Sequence, residues 1–280
     1  MKPRAIWTGH LKISLITVPI RVYTALNEAD KISFNQLHKD CHQRLKQHLV
    51  CPVHGKVERE QVVKGYEVEK DRFVVMDAAD LEAVKLETTH TVELVQFIQP
   101  GELDPIYLDV PYFLGPDGPV SIEAFTMLRE ALRKAKRIGI GRVVMSGREK
   151  LVALRPLAKG LLMITLRYAS EVRQADAYFE ELGQGQIDPG QTALARQLIE
   201  NKTAQFDPGA FTDRYQAALL ELIKSKVNGT QPIQVAAAPP AGQVINLMQA
   251  LKESVAQTAK PEELPERTSK VRKIKPALAA

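Results

Sequence analysis

A chain of 280 residues, 45% of them apolar and 25% charged, has the composition of an ordinary globular protein with one large or two smaller domains. A net charge of +5 selects no partner by itself. Two cysteines, and an N-terminal apolar stretch broken by Lys12, Ser14, Thr17 and Pro19, exclude a disulfide scaffold, a secretory signal and a membrane span, and point to the cytosol.

Residues 5–26 alternate through Leu11, Ile13 and Leu15 and again through Val18, Ile20 and Val22, which predicts two strands separated near Thr17 to Pro19. Residues 27–65 lose that periodicity and hold both cysteines and most of the histidines, so they form a long excursion and not a tight loop. Strand character returns at Arg72 to Met76, and Asp77 is placed to cap a helix over Ala78 to Lys85. Thr89 to Ile98 and Pro105 to Leu114 are further strands. Ser121 caps an amphipathic helix with Phe125, Leu128 and Leu132 on one face.

From Ile138 to Pro156 an apolar hairpin turns at Ser146-Gly147, and Leu161 to Tyr168 extends it to a three-stranded meander. Helices then take over, with Asp188-Pro189 and Asp207-Pro208 each placing a cap before proline, the second helix running to about Val227. Residues 230–243 read as a linker, and Val244, Leu247, Met248, Leu251 and Val255 define a short amphipathic helix over 244–257 that has no core of its own and must dock on something. Residues 258–280 are a basic tail too poor in apolar residues to fold. The expected architecture is mixed β + α: a core over 1–229 built on a β-barrel, with the helices of 188–229 at its end.

Charge is segregated along this order. Residues 31–64 carry seven cations against three acids, residues 121–160 ten against three, and residues 267–280 five against none, so the remainder of the chain is net acidic. Basic surfaces on an acidic body suit a polyanion. Lys31, Lys39, Arg44, Lys46, Lys56, Arg59 and Lys64 in the excursion, with Arg133, Lys136, Arg137, Arg142 and Arg148 near the hairpin, are the expected phosphate contacts. A solvated charged face is the other meaning such runs have.

The sequence has no phosphate-binding loop, no His-Glu-x-x-His and no Gly-x-Ser-x-Gly, and no carboxylate pair stands out, so no catalysis is expected. Gly139-Ile140-Gly141 opens a strand where a dinucleotide fingerprint would close one, and its glycines are read as easing a barrel strand past a neighbour. Cys41, Cys51 and His54, with His38 or His42 as the fourth, offer thiolate and imidazole ligands suited to a structural zinc ion; two reduced cysteines in a His-rich loop is the alternative.

Several stretches resemble the bacterial Ku family in order: Arg4-Ala5-Ile6-Trp7-Thr8-Gly9, Val18-Pro19 with Tyr23, Phe34 to Lys39, Lys64-Gly65-Tyr66-Glu67, Leu151 to Pro156, Phe206-Asp207-Pro208, Asp213-x-Tyr215 and Leu222-Ile223-x-x-Lys226. His54 stands where many members carry a second cysteine. The resemblance implies a homodimer in which each copy contributes a β-barrel and an arching excursion that encircles double-stranded DNA ends, in non-homologous end joining, at the nucleoid within the cytoplasm. It also implies recruitment of a bacterial multifunctional ATP-dependent DNA ligase, for which the 244–257 helix is the expected docking element, with Leu247, Met248, Leu251 and Val255 as anchors. No cofactor is required beyond the structural zinc. A zinc-containing nucleic-acid-binding module and a DNA-end-processing enzyme are the rival readings.

Overall fold

The computed structural model describes residues 3–27, 31–84, 90–183, 187–229 and 247–258. It divides into two compact units, residues 1–175 and 176–280. The expected linker and basic tail, and the start of the docking helix at 244–246, lie outside the described residues.

The first unit is built on a closed barrel. Its strands are β1 (Trp7–Ile13), β2 (Ile16–Thr24), β7 (Thr91–Ile98), β8 (Leu108–Pro116), β9 (Ile138–Met145), β10 (Arg148–Leu157) and β11 (Gly160–Leu166), in the order β1-β2-β8-β11-β10-β9-β7. Every neighbouring pair is antiparallel except β1 and β7, which pair in parallel and close the ring. Closure removes the free sheet edges that an open meander would leave. Alternate residues point inward: Val18, Ile20 and Val22 from β2, Val152 and Leu154 from β10, and Leu161 and Met163 from β11 fill the core. Helix α2 (Ile122–Ala135) adds Phe125, Leu128 and Leu132 to it. Ser121 stands at its N-cap as expected, but the hydroxyl donates to the carbonyls of Asp117 and Gly118 and tightens the preceding turn, without accepting from the helix.

The expected meander is present. Ser146 and Gly147, both at positive φ, make the two-residue turn whose backbone twist matches the flanking strands. The first hairpin turns elsewhere than expected: Ile13 pairs with Ile16, so the turn is Ser14-Leu15 and Leu15 is 98% exposed. Pro19 lies inside β2 opposite His10, and is tolerated because pairing with β8 begins only at Ile20.

Close approach at the barrel seams explains two glycines. A Cβ on Gly9 would lie 2.2 Å from the His90 carbonyl oxygen at the β1–β7 seam, and one on Gly141 would lie 2.4 Å from the Glu93 carbonyl oxygen where β9 passes β7. Gly139-Ile140-Gly141 is therefore a packing device of the wall, as its place at the head of a strand predicts.

The excursion leaves the barrel after β2 and returns at β7, and it is longer than expected. Residues 49–57 form a short hairpin, β3 (Leu49–Cys51) with β4 (Gly55–Val57), and residues 64–76 form a second, β5 (Lys64–Glu69) with β6 (Arg72–Met76). Each makes a two-stranded sheet outside the barrel. Helix α1 (Ala78–Ala83) follows, capped by Asp77 as expected.

In the second unit α3 (Asp176–Phe179) precedes α4 (Pro189–Lys202), capped by Asp188. Asp207-Pro208 starts only a single 3-10 turn, and Asp213 caps the helix proper, α5 (Arg214–Val227), so Phe211 lies before it and packs against Phe206 in a tilted ring pair with centroids 5.8 Å apart. Helix α6 (Leu247–Thr258) packs against α4.

A Gly141→Ala substitution is expected to lower stability by about 1–3 kcal/mol, because backbone must move to admit the methyl group. Gly101→Ala, whose Cβ would meet nothing within 4 Å, is expected to leave the thermal unfolding midpoint unchanged. Parallel unfolding curves of the two variants check this.

Candidate nucleic-acid interface

The first half of the excursion has little to hold it together except short hairpins. Leu37 and Arg44 bridge across a turn in which the His42 N–H donates to the His38 carbonyl, and β3–β4 turns through Cys51-Pro52-Val53-His54. On these turns Lys39, Arg44, Lys46, Lys56, Arg59 and Lys64 are all exposed, as is Lys31 before them. Lys56 reaches Glu58 at 3.1 Å, whereas Lys39, Arg44, Lys46, Arg59 and Lys64 have no acidic partner among the described residues. Exposed, unneutralised cations on extended backbone are suited to phosphates, which they reach without desolvating an ion pair.

Charge reverses in the second half. Residues 65–84 hold Lys70 and Arg72 against six acids, Glu67, Glu69, Asp71, Asp77, Asp80 and Glu82, which cancels the excess of residues 31–64. The ribbon β5–β6 is instead apolar on both faces. Tyr66 and Val74 are cross-strand partners on one face, and Phe73 and Val75 stand on the other, with Tyr66 69% and Phe73 56% exposed. In the sequence β6 has the pattern of another barrel strand, which puts the end of the excursion near residue 65; its pairing with β5 extends the excursion beyond that point.

Near the meander the expected cations are less uniform. Arg133 pairs with Glu130, whose carboxyl is held below its ordinary range chiefly by Arg129 and also by Arg133. Arg142 lies 3.7 Å from Glu149, and Arg148 is exposed without such a partner among the described residues. Lys136, the C-cap of α2, and Arg137 after it line a cleft that also receives Arg155.

The predicted metal ligands fall into two pairs. Cys41 Sγ lies 3.2 Å from His38 Nδ1, and Cys51 Sγ lies 3.6 Å from His54 Nδ1. Both pairs have the same spacing, His38-x-x-Cys41 and Cys51-x-x-His54, so His38 and not His42 is the imidazole that stands beside Cys41, a symmetry available in the sequence. The backbone N–H of His54, and then that of Val53, lowers the Cys51 thiol below its ordinary range, which favours the thiolate a metal requires. Among the described residues no three His, Cys, Asp or Glu side chains converge, so each pair fits half of a tetrahedral set and the halves stand apart.

Of the docking helix, Met248, Leu251 and Val255 are half-buried. The complementary stripe on α4 is Gln191, Leu194, Ala195 and Leu198, also half-buried and at helical spacing. The helix does dock, and its cover is this chain's own α4. Among the described residues no helix is long and apolar enough to cross a membrane.

Residues 12–197 match the family model of the Ku70/Ku80 beta-barrel domain. The chain is 36% identical over 257 residues to the non-homologous end joining protein Ku of Bradyrhizobium sp. (strain ORS 278), covering 91% of this chain and 88% of that protein. It is 37% identical over 260 residues to the protein of the same name from Cereibacter sphaeroides (strain KD131), covering 92% and 97% respectively. The Acidobacterium capsulatum protein of that name is 36% identical over 259 residues, with 91% and 85% covered.

Proposed function

This chain belongs to the Ku family, and from that membership we propose that it binds ends of double-stranded DNA, without regard to sequence and without catalysis, as a homodimeric ring in non-homologous end joining. The observation that carries the ring is the excursion. It springs from a closed barrel, presents unneutralised cations along its first half, and ends in a ribbon whose two faces are both apolar and exposed. Cations on extended backbone bind phosphates, and an apolar ribbon needs a partner. A second copy supplies that partner at no cost in new sequence, because a two-fold interface uses the same patch twice.

Phosphate contacts alone make binding sensitive to salt and indifferent to sequence. Preference for ends then follows from topology, since a closed ring is threaded only from a free terminus. The site of action is the nucleoid within the cytoplasm.

Two parts of the chain serve this reading in different ways. Zinc held by His38, Cys41, Cys51 and His54 would join the two turns of the basic segment, which has no buried side chain of its own. Helix α6 recruits an ATP-dependent DNA ligase through Met248, Leu251 and Val255, with Leu247 opening the helix. Because α4 covers the described anchors, a ligase taking the same face must displace α4, and its apparent affinity is reduced by the fraction of molecules in which the face is closed.

Three outcomes are expected. A linear duplex with both ends blocked by bulky protein adducts should bind far more weakly than the free-ended duplex in a gel-shift assay, and equal affinity and stoichiometry would refute threading. A chain ended at Gly229 should keep end binding and lose stimulation of the ligase in a joining assay; stimulation that persists would remove α6 from that role. Metal analysis of protein purified without chelators should find about one zinc per chain, lost on Cys51→Ser, and less than about a tenth of an equivalent in the unaltered protein would sink the zinc reading.

A further inference from the structure

Where the C-terminal end of α2 and the segment of residues 100–108 meet β9, β10 and β11, the first unit has a cleft of about 440 Å³, within the range of ligand sites. Leu103, Leu108, Pro156 and Ile164 give it partly exposed apolar surface. Leu132, a member of the barrel core, and Ala153 also line it and are almost wholly buried, so the cleft rests on packed protein and is formed before anything enters it. The rim carries four exposed cations, Arg133, Lys136, Arg137 and Arg155, and no carboxylate lines the cleft.

Arg133 is engaged by Glu130, but Lys136, Arg137 and Arg155 have no acidic partner among the described residues. The end of α2 contributes a partial negative charge of about half an electron, too little to offset four cations. An anion is therefore required, and the lining restricts its kind. Every polar side chain in the cleft is Arg or Lys, which donate hydrogen bonds and accept none. The amino and imino groups of a nucleotide base would find no side-chain acceptor, and no aromatic ring is present for a base to stack on. A duplex backbone would answer the rim and leave the apolar surface unfilled. The matching ligand has acceptor-only charges and an aliphatic group, which is what carboxylates and a leucine-like side chain supply.

The cations stand on two elements, three at the end of α2 and Arg155 on β10, so carboxylates are needed on both sides of the aliphatic group. An extended peptide meets that requirement. We infer that this cleft is the docking site for an acidic segment of a second protein, which sets one aliphatic side chain against Leu103, Leu108 and Ile164 and its flanking carboxylates on the Arg/Lys rim. The contact does not depend on DNA binding or on a ring. It bears on both, since Arg133, Lys136 and Arg137 are also expected phosphate contacts and an occupied cleft withholds them.

The probe is a fluorescein-labelled synthetic peptide with one leucine between paired glutamates, titrated against the full chain at low salt and followed by fluorescence anisotropy. Saturable binding is expected, weakened about tenfold or more when the leucine is changed to serine. Arg155→Ala, outside the expected phosphate contacts, should weaken the peptide about threefold while DNA-end binding is unchanged, which also shows that the variant is folded. A photoreactive leucine analogue in the peptide should cross-link to fragments containing Leu103, Leu108 or Ile164. Absence of saturable binding, indifference to the serine change, or cross-links confined to the basic excursion would overturn the site. Displacement of the peptide by an equal concentration of adenosine monophosphate would assign the cleft to a nucleotide and overturn it as well. None of these readouts depends on how the protein holds DNA.

Discussion

A two-stranded ribbon cannot bury anything by itself. Two strands have only two faces and no third layer to cover them, so such a hairpin is at best marginal in water. The ribbon of residues 64–76 is placed in that position, with Tyr66 and Val74 on one side and Phe73 and Val75 on the other. The barrel cannot relieve it, since all seven of its strands are already paired on both edges. Much of what is proposed for this chain follows from that mismatch between a self-sufficient barrel and an excursion that is not.

Division of charge along the excursion fits the same division of labour. Residues 31–64 are basic and poor in buried side chains, while residues 65–84 are acidic and carry the exposed apolar ribbon. A segment that must hold phosphates gains from uncompensated cations. One that must pair with another protein gains from apolar surface, and its acids keep it from competing for the same phosphates. The barrel supplies rigidity at the root of both, through seams so close that Gly9 and Gly141 admit no side chain.

Much of this was legible in the sequence wherever a local pattern determines the outcome. The turn at Ser146-Gly147, the buried face of α2 and the packing role of Gly139 and Gly141 all follow from spacing that a strand or helix must obey. Sequence pattern and structure part where the outcome is not decided locally. Leu15 continues the alternation of β1 and yet sits in the turn, because positive φ at Ser14 closes the hairpin at Ser14-Leu15, before the stretch from Thr17 to Pro19 where the sequence suggests it. The strand β6 looks like any barrel strand until its partner among the described residues proves to be β5. Helix starts at Pro189 and Pro208 read alike, but Asp213 holds a better cap for α5 than Asp207 does. The cleft at the end of α2 draws its lining from four segments of chain, and no periodicity announces it.

Encirclement is the claim on which the rest turns, and topology can be measured apart from affinity. The protein would be loaded on a linear duplex, the duplex ligated into a covalent circle, and the mixture challenged with high salt, which removes phosphate contacts but opens no ring. Two copies closed around DNA should remain on the circle while sliding off an unligated control. Release from circle and linear duplex at the same rate would contradict encirclement.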